Sequence, residues 1–140
     1  MTEERLQESV VHLMRAYGRP DVCWFAVPNG EQRRRSTGAR LKRQGVIAGA
    51  PDMVFLIDGV MHGVELKVGV NIVRPNQSAF GKWIEVAGGR YHVCTGIYQT
   101  FECLKAIAAI PNHVKLIFQN PVEVPLRVKN RVYRVSRTRK

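Results

Sequence analysis

A chain of 140 residues with 22 Lys and Arg against 11 Asp and Glu has room for one hydrophobic core, and its net charge of +11 asks for an anionic partner. Hydrophobic residues at 45% and charged residues at 24% exclude disordered and fibrous classes. No apolar run is long enough to span a membrane, and the charged start Met1-Thr2-Glu3-Glu4-Arg5 is unlike a secretory leader, so an intracellular protein is expected. Cys23, Cys94 and Cys103 are odd in number and lack a Cys-x-x-Cys pair, so they read as reduced and buried, forming neither a disulfide frame nor a zinc site.

Residues 2–17 place Leu6, Val10, Leu13 and Tyr17 at helical spacing, with Thr2 to cap and Gly18 and Pro20 to terminate. Residues 22–27 (VCWFAV) predict a strand and Pro28-Asn29-Gly30 a turn. The basic stretch 31–45 has weak helical character because Ser36, Thr37 and Gly38 interrupt it, and 45–51 (GVIAGAP) reads as a loop. Residues 52–57 and 60–68 flank Asp58-Gly59, a strong hairpin signal. A helix over 75–86, a strand over 91–94 and a helix over 98–110 follow; beyond Pro111, segments 114–118, 122–128 and 132–135 are β-rich, and 136–140 is a basic end. The order predicts an α/β mixed sheet flanked by helices, with a small C-terminal β extension. Trp24, Phe25, Phe80 and Trp83 are expected in the core, and His62 and His92 as packed or surface strand residues.

The charge is concentrated. Residues 31–43 hold six basic residues and one acid, and residues 111–140 eight and one, so these two segments sum to +12. Such clustering suits the phosphate backbone of nucleic acid.

A two-residue turn at Asp58-Gly59 pairs Ile57 with Val60 and carries Asp52 opposite Glu65, with Lys67 on the face of Glu65. Two carboxylates facing across a ladder repel. A divalent cation relieves the repulsion, and oxygen ligands suit Mg²⁺ or Mn²⁺. With Lys67 to hold a water or offset charge at phosphorus, the set fits phosphodiester hydrolysis. The plainer alternative makes Asp52 a turn residue and Glu65 and Lys67 a surface pair. A second Pro-Asp, Pro20-Asp21, has no Glu-x-Lys partner and reads as a turn.

Pro51-Asp52 followed by Glu65-Leu66-Lys67 resembles the PD-(D/E)xK nuclease signature. The matching stretches Pro28-Asn29-Gly30 with the basic segment after it, Gly49-Ala50-Pro51-Asp52, His62 to Lys67, Gln77, and Gly89 to Gly96 resemble its virus-type replication-repair nuclease (VRR-NUC) branch. The resemblance implies a restriction-endonuclease-like domain over 1–110 and a basic extension over 111–140. It implies Asp52 and Glu65 as metal ligands, Lys67 as the catalytic lysine, and Gln77 as a residue positioning water or phosphate. It also calls for a first-helix glutamate, for which Glu8 is the best match and Glu4 the next. Arg33, Arg34, Arg35, Arg40, Lys42 and Arg43 are the expected DNA contacts. Branched or Holliday-junction DNA as substrate, a role in DNA repair and a homodimer are further implications. The alternatives are a nicking or restriction-type nuclease of the same fold, or a DNA-binding module with a vestigial site. The link from Lys67 to Gln77 is more apolar than the family pattern.

Overall fold

A computed structural model describes residues 1–28, 35–118, 128–129 and 132–135. Helix α1 (Glu3–Tyr17) starts at Thr2, whose hydroxyl accepts the Arg5 N–H at 3.1 Å, which satisfies one otherwise unpaired donor of the first turn. It ends at Gly18, where any Cβ would sit 2.5 Å from the Met14 carbonyl oxygen, so only glycine lets the chain turn so tightly. Strand β1 (Cys23–Ala26), helix α2 (Arg35–Arg43), strands β2 (Met53–Ile57) and β3 (Val60–Lys67), helix α3 (Pro75–Val86), strand β4 (Arg90–Thr95) and helix α4 (Gly96–Ala106) follow.

The four strands form one mixed sheet in the order β1-β2-β3-β4. β1 and β2 are antiparallel, as are β2 and β3; β4 joins β3 in parallel after the α3 crossover. The hairpin register runs from Met53 opposite Val64 to Ile57 opposite Val60. Asp58 and Gly59 both have positive φ, 51° and 79°, the signature of the type I′ turn expected of Asp-Gly.

One face of the sheet is the core. Met53, Phe55, Ile57, Val64 and Leu66 pack with Leu6, Val10 and Leu13 of α1 and with Phe101 and Leu104 of α4. His62 and His92 lie on adjacent strands with Nδ1 and Nε2 3.0 Å apart. Helix α3 covers β3 and β4 on the other face, where Ile84 meets Gly63 and Gly81 meets Tyr91. That helix leaves the outer side of β1 and the Leu56 end of β2 uncovered. Phe25 is therefore 50% exposed and Cys23 is exposed, against the expectation that both are buried. Trp83, expected in the core, is 57% exposed and contacts Phe80 edge-on with ring centres 5.5 Å apart.

Helix α4 stops short of the predicted end at 110 because Ala108 takes a left-handed φ of 66°. The reversal lets Ala109 donate back to the Leu104 carbonyl at 2.8 Å and buries Ala109 and Ile110. Beyond it, β5 (Leu116–Phe118), β6 (Val128–Lys129) and β7 (Val132–Val135) make a separate three-stranded sheet in the order β5-β7-β6. Most of the predicted strand over 122–128 and the basic end 136–140 lie outside the described residues. No described helix is long and apolar enough to cross a membrane.

Candidate active site

The loop before β2 is shaped by close packing. Gly49 has φ of 93°, and a Cβ there would lie 2.5 Å from the Asn76 carbonyl oxygen, so this loop rests on the first turn of α3. Pro51 lies over Gly63, where a side chain would collide with its ring at 2.9 Å. Asp52 therefore enters the sheet in a fixed direction. One position before Met53, it stands across from Glu65 by continuation of the register, and its Oδ2 accepts the Leu66 N–H at 2.8 Å.

Glu65 and Lys67 are 1% and 4% exposed. Both lie on the outer face of β3, since the alternate residues Val64 and Leu66 point into the core. Lys67 Nζ is 3.1 Å from Glu65 Oε1. Gln77, in the first turn of α3, donates its amide Nε2 to the same Oε1 and accepts the Arg74 N–H at 2.8 Å through its own oxygen. Its amide thus spans from the start of α3 to the carboxylate. Glu65 Oε2 is left buried with no hydrogen-bond partner among the described residues.

The electrostatics match this arrangement. Burial first, then the Asp52 charge, push the Glu65 carboxyl up to about 7, against the opposing pull of Lys67. Burial raises Asp52 as well, opposed by the Leu66 N–H and Lys67. Glu3 adds to the upward push on both. The two acids lack the positive charge needed to hold both ionised at neutral pH. An oxygen-only donor set with one buried, uncommitted carboxylate oxygen fits a hard divalent cation of the Mg²⁺ or Mn²⁺ class, which takes one or two carboxylates and fills its remaining positions with water or phosphate.

These groups lie along a cleft of about 1540 Å³. The first turns of α1 form one wall; α2, through Lys42, and the loop through Val46 and Ile47 form another, and Arg74 and Gln77 close the far side. Asp52, Glu65 and Lys67, placed together by the hairpin register, and Gln77, implied by the resemblance, come together. Glu8 and Glu4 line the cleft but are exposed, and among the described residues no three His, Cys, Asp or Glu side chains gather as a metal cluster. Among the described residues, none of Glu3, Glu4 and Glu8 forms such a trio with Asp52 and Glu65. The first-helix acid whose charge reaches both carboxylates is Glu3, half-buried and held by the Asn71 side-chain amide at 2.7 Å. The sequence carried a signal for it, since Glu3 extends the stripe Leu6, Val10, Leu13 and Tyr17 backwards at the same spacing, whereas Glu8 falls off it. Arg40, Lys42 and Arg43 are exposed on α2 and Arg35 opens that helix, while Arg33 and Arg34 lie outside the described residues. Asp21 of the second Pro-Asp pairs with Arg19 at 2.7 Å, away from the cleft.

No protein-family profile and no curated protein matches the chain. Among solved structures, a VRR_NUC domain protein superimposes with a TM-score of 0.61 at 20% identity, over 79% of this chain and 90% of that one. The chain therefore has the fold of a VRR_NUC domain protein.

Proposed function

We propose that the chain is a metal-dependent nuclease of the VRR-NUC type that hydrolyses phosphodiester bonds in DNA. The observation that carries this reading is the burial of Glu65 and Lys67 beside Asp52 at the floor of an open cleft. A structural ion pair gains little from such a place, because burying charges costs several kcal/mol per ion, on the order of what their attraction returns.

Asp52 and Glu65 would hold the cation, with Glu65 Oε2 and the free oxygen of Asp52 facing it. A divalent ion bound there supplies Lewis acidity toward a phosphoryl oxygen. Lys67, anchored to Glu65 Oε1 at 3.1 Å, places an ammonium where it can orient a water or offset charge building at phosphorus. Gln77 fixes the plane of the Glu65 carboxylate by bonding the same oxygen, a role closer to ligand orientation than to direct contact with water or phosphate. Glu8, with Glu4 next to it, would serve as the first-helix carboxylate on the cleft wall, and Glu3 is the first-helix acid whose charge reaches Asp52 and Glu65. The α2 cations Arg40, Lys42 and Arg43, with Arg33, Arg34 and Arg35 before them, would grip the DNA backbone without reading bases.

Branched or Holliday-junction DNA is the substrate we favour, with two copies as the working unit, because a two-fold pair of sites accounts for symmetric cuts on a four-armed junction. The test is cleavage of labelled four-way junction, flap, duplex and single strand with Mg²⁺, Mn²⁺ or EDTA. Metal-dependent cutting that Lys67→Ala abolishes supports the nuclease. Equal rates on junction and duplex reject the junction preference, and tight DNA binding without cutting rejects the enzyme.

A further inference from the structure

A second buried atom near the carboxylate pair shares the condition of Glu65 Oε2: the hydroxyl of Tyr91 has no hydrogen-bond partner among the described residues. Buried polar groups are nearly always paired, so an orphan donor and an orphan acceptor in one neighbourhood need a common explanation.

The sheet register supplies it. Gly63 pairs with Tyr91 and Glu65 with Val93, so Tyr91 and Glu65 are diagonal neighbours on one face of adjacent strands, a separation that aromatic side chains span. Gly63, directly opposite Tyr91, has no side chain, and the space over it is filled by Pro51 and Ile84. The ring meets Gly81 of α3, where a Cβ would overlap ring carbons Cδ2, Cε2 and Cγ. The missing side chain of Gly81 therefore gives the ring its place under α3. Burial, then the charges of Glu65 and Asp52 in that order, push the phenol above its ordinary range, so it remains a protonated donor at any working pH.

We infer that Tyr91 is a positioning residue for Glu65, its hydroxyl donating to Oε2 across one water. Gln77 and Lys67 fix Oε1; Tyr91 fixes the other oxygen, so the carboxylate presents to the cation in one orientation. This rests on the metal-dependent reading of the site. Outer partners of ligating carboxylates matter by about 10- to 100-fold in metal affinity.

The test uses the full chain and Mn²⁺ alone, with binding followed by calorimetry or electron paramagnetic resonance. Tyr91→Phe keeps the ring and removes only the hydroxyl. It is expected to weaken Mn²⁺ binding by about tenfold while the chain stays folded in EDTA. Asp52→Asn serves as the reference for loss of the site. If Asp52→Asn abolishes Mn²⁺ binding while Tyr91→Phe binds like wild type, the role of Tyr91 is overturned and the metal site stands. A lowered melting temperature with unchanged Mn²⁺ affinity also overturns it. If wild type binds no Mn²⁺, the metal reading falls and this inference with it.

Discussion

Glu65 is the residue on which charge, burial and chemistry meet, and its titration can be measured in the metal-free protein. Its carboxyl is pushed up to about 7 in the folded chain, so the folded state holds a proton that the unfolded state has already released. The stability this group contributes is full below the unfolded carboxylate range and is lost as pH rises toward and through 7. Asp52, also raised, acts in the same direction. His62 and His92 are lowered, chiefly by burial, and act oppositely, so the comparison must be made between variants. In EDTA, Glu65→Gln should lose less melting temperature than wild type between pH 5 and pH 8, and Mn²⁺ should restore the wild-type loss. Lys67→Ala should lower the cleavage rate by about 10²-fold or more while DNA affinity holds within a few-fold. Glu3→Gln, and Glu8→Gln on the cleft wall, should each raise the Mn²⁺ needed for half-maximal cutting by about tenfold.

At the scale of elements, the β2–β3 hairpin and the start of α3 form one packed unit, tied by Pro51 on Gly63 and Gly49 on Asn76. Gly63→Ala should cost about 1–3 kcal/mol by overpacking, and, because Pro51 must shift, cleavage should fall further than the stability loss alone accounts for; paired melts and rates check this. Most of this unit was legible in the sequence. Asp58-Gly59 dictates a two-residue turn and so the whole register, and Pro75 sets the start of α3 at the predicted position. What was not legible has a common physical cause. Phe25 and Cys23 belong to a typical strand sequence, but their exposure depends on which side α3 covers, and no local pattern encodes that. Ala108 ends α4 through a left-handed turn that favours glycine or asparagine, so the helix looked longer than it is. The bond of Glu3 to Asn71 and the reach of its charge to Glu65 appear only when β3 and the Asn71 loop are brought beside it.

At the scale of the molecule, the sheet divides labour between its faces. One is sealed by α1 and α4 around the apolar core; the other carries Asp52, Glu65 and Lys67 into an open cleft. Replacing Arg40, Lys42 and Arg43 with alanine should weaken DNA binding and flatten its logarithmic dependence on salt by up to roughly one power per lost phosphate contact, while Mn²⁺ affinity stays the same. The confinement of Asp52, Glu65, Lys67 and Gln77 to one short stretch of chain has a kinetic consequence. Hairpins close in about 1–10 μs, ahead of most long-range contacts, so a nucleus built on β2–β3 brings Asp52 against Glu65 before any cation has a finished site to bind. Their repulsion then falls on the folding barrier. Asp52→Asn, whose amide oxygen can still accept the Leu66 N–H, should refold faster than wild type at pH 8 while its unfolding rate changes little. The charges proposed to hold a cation act, during assembly, as a brake.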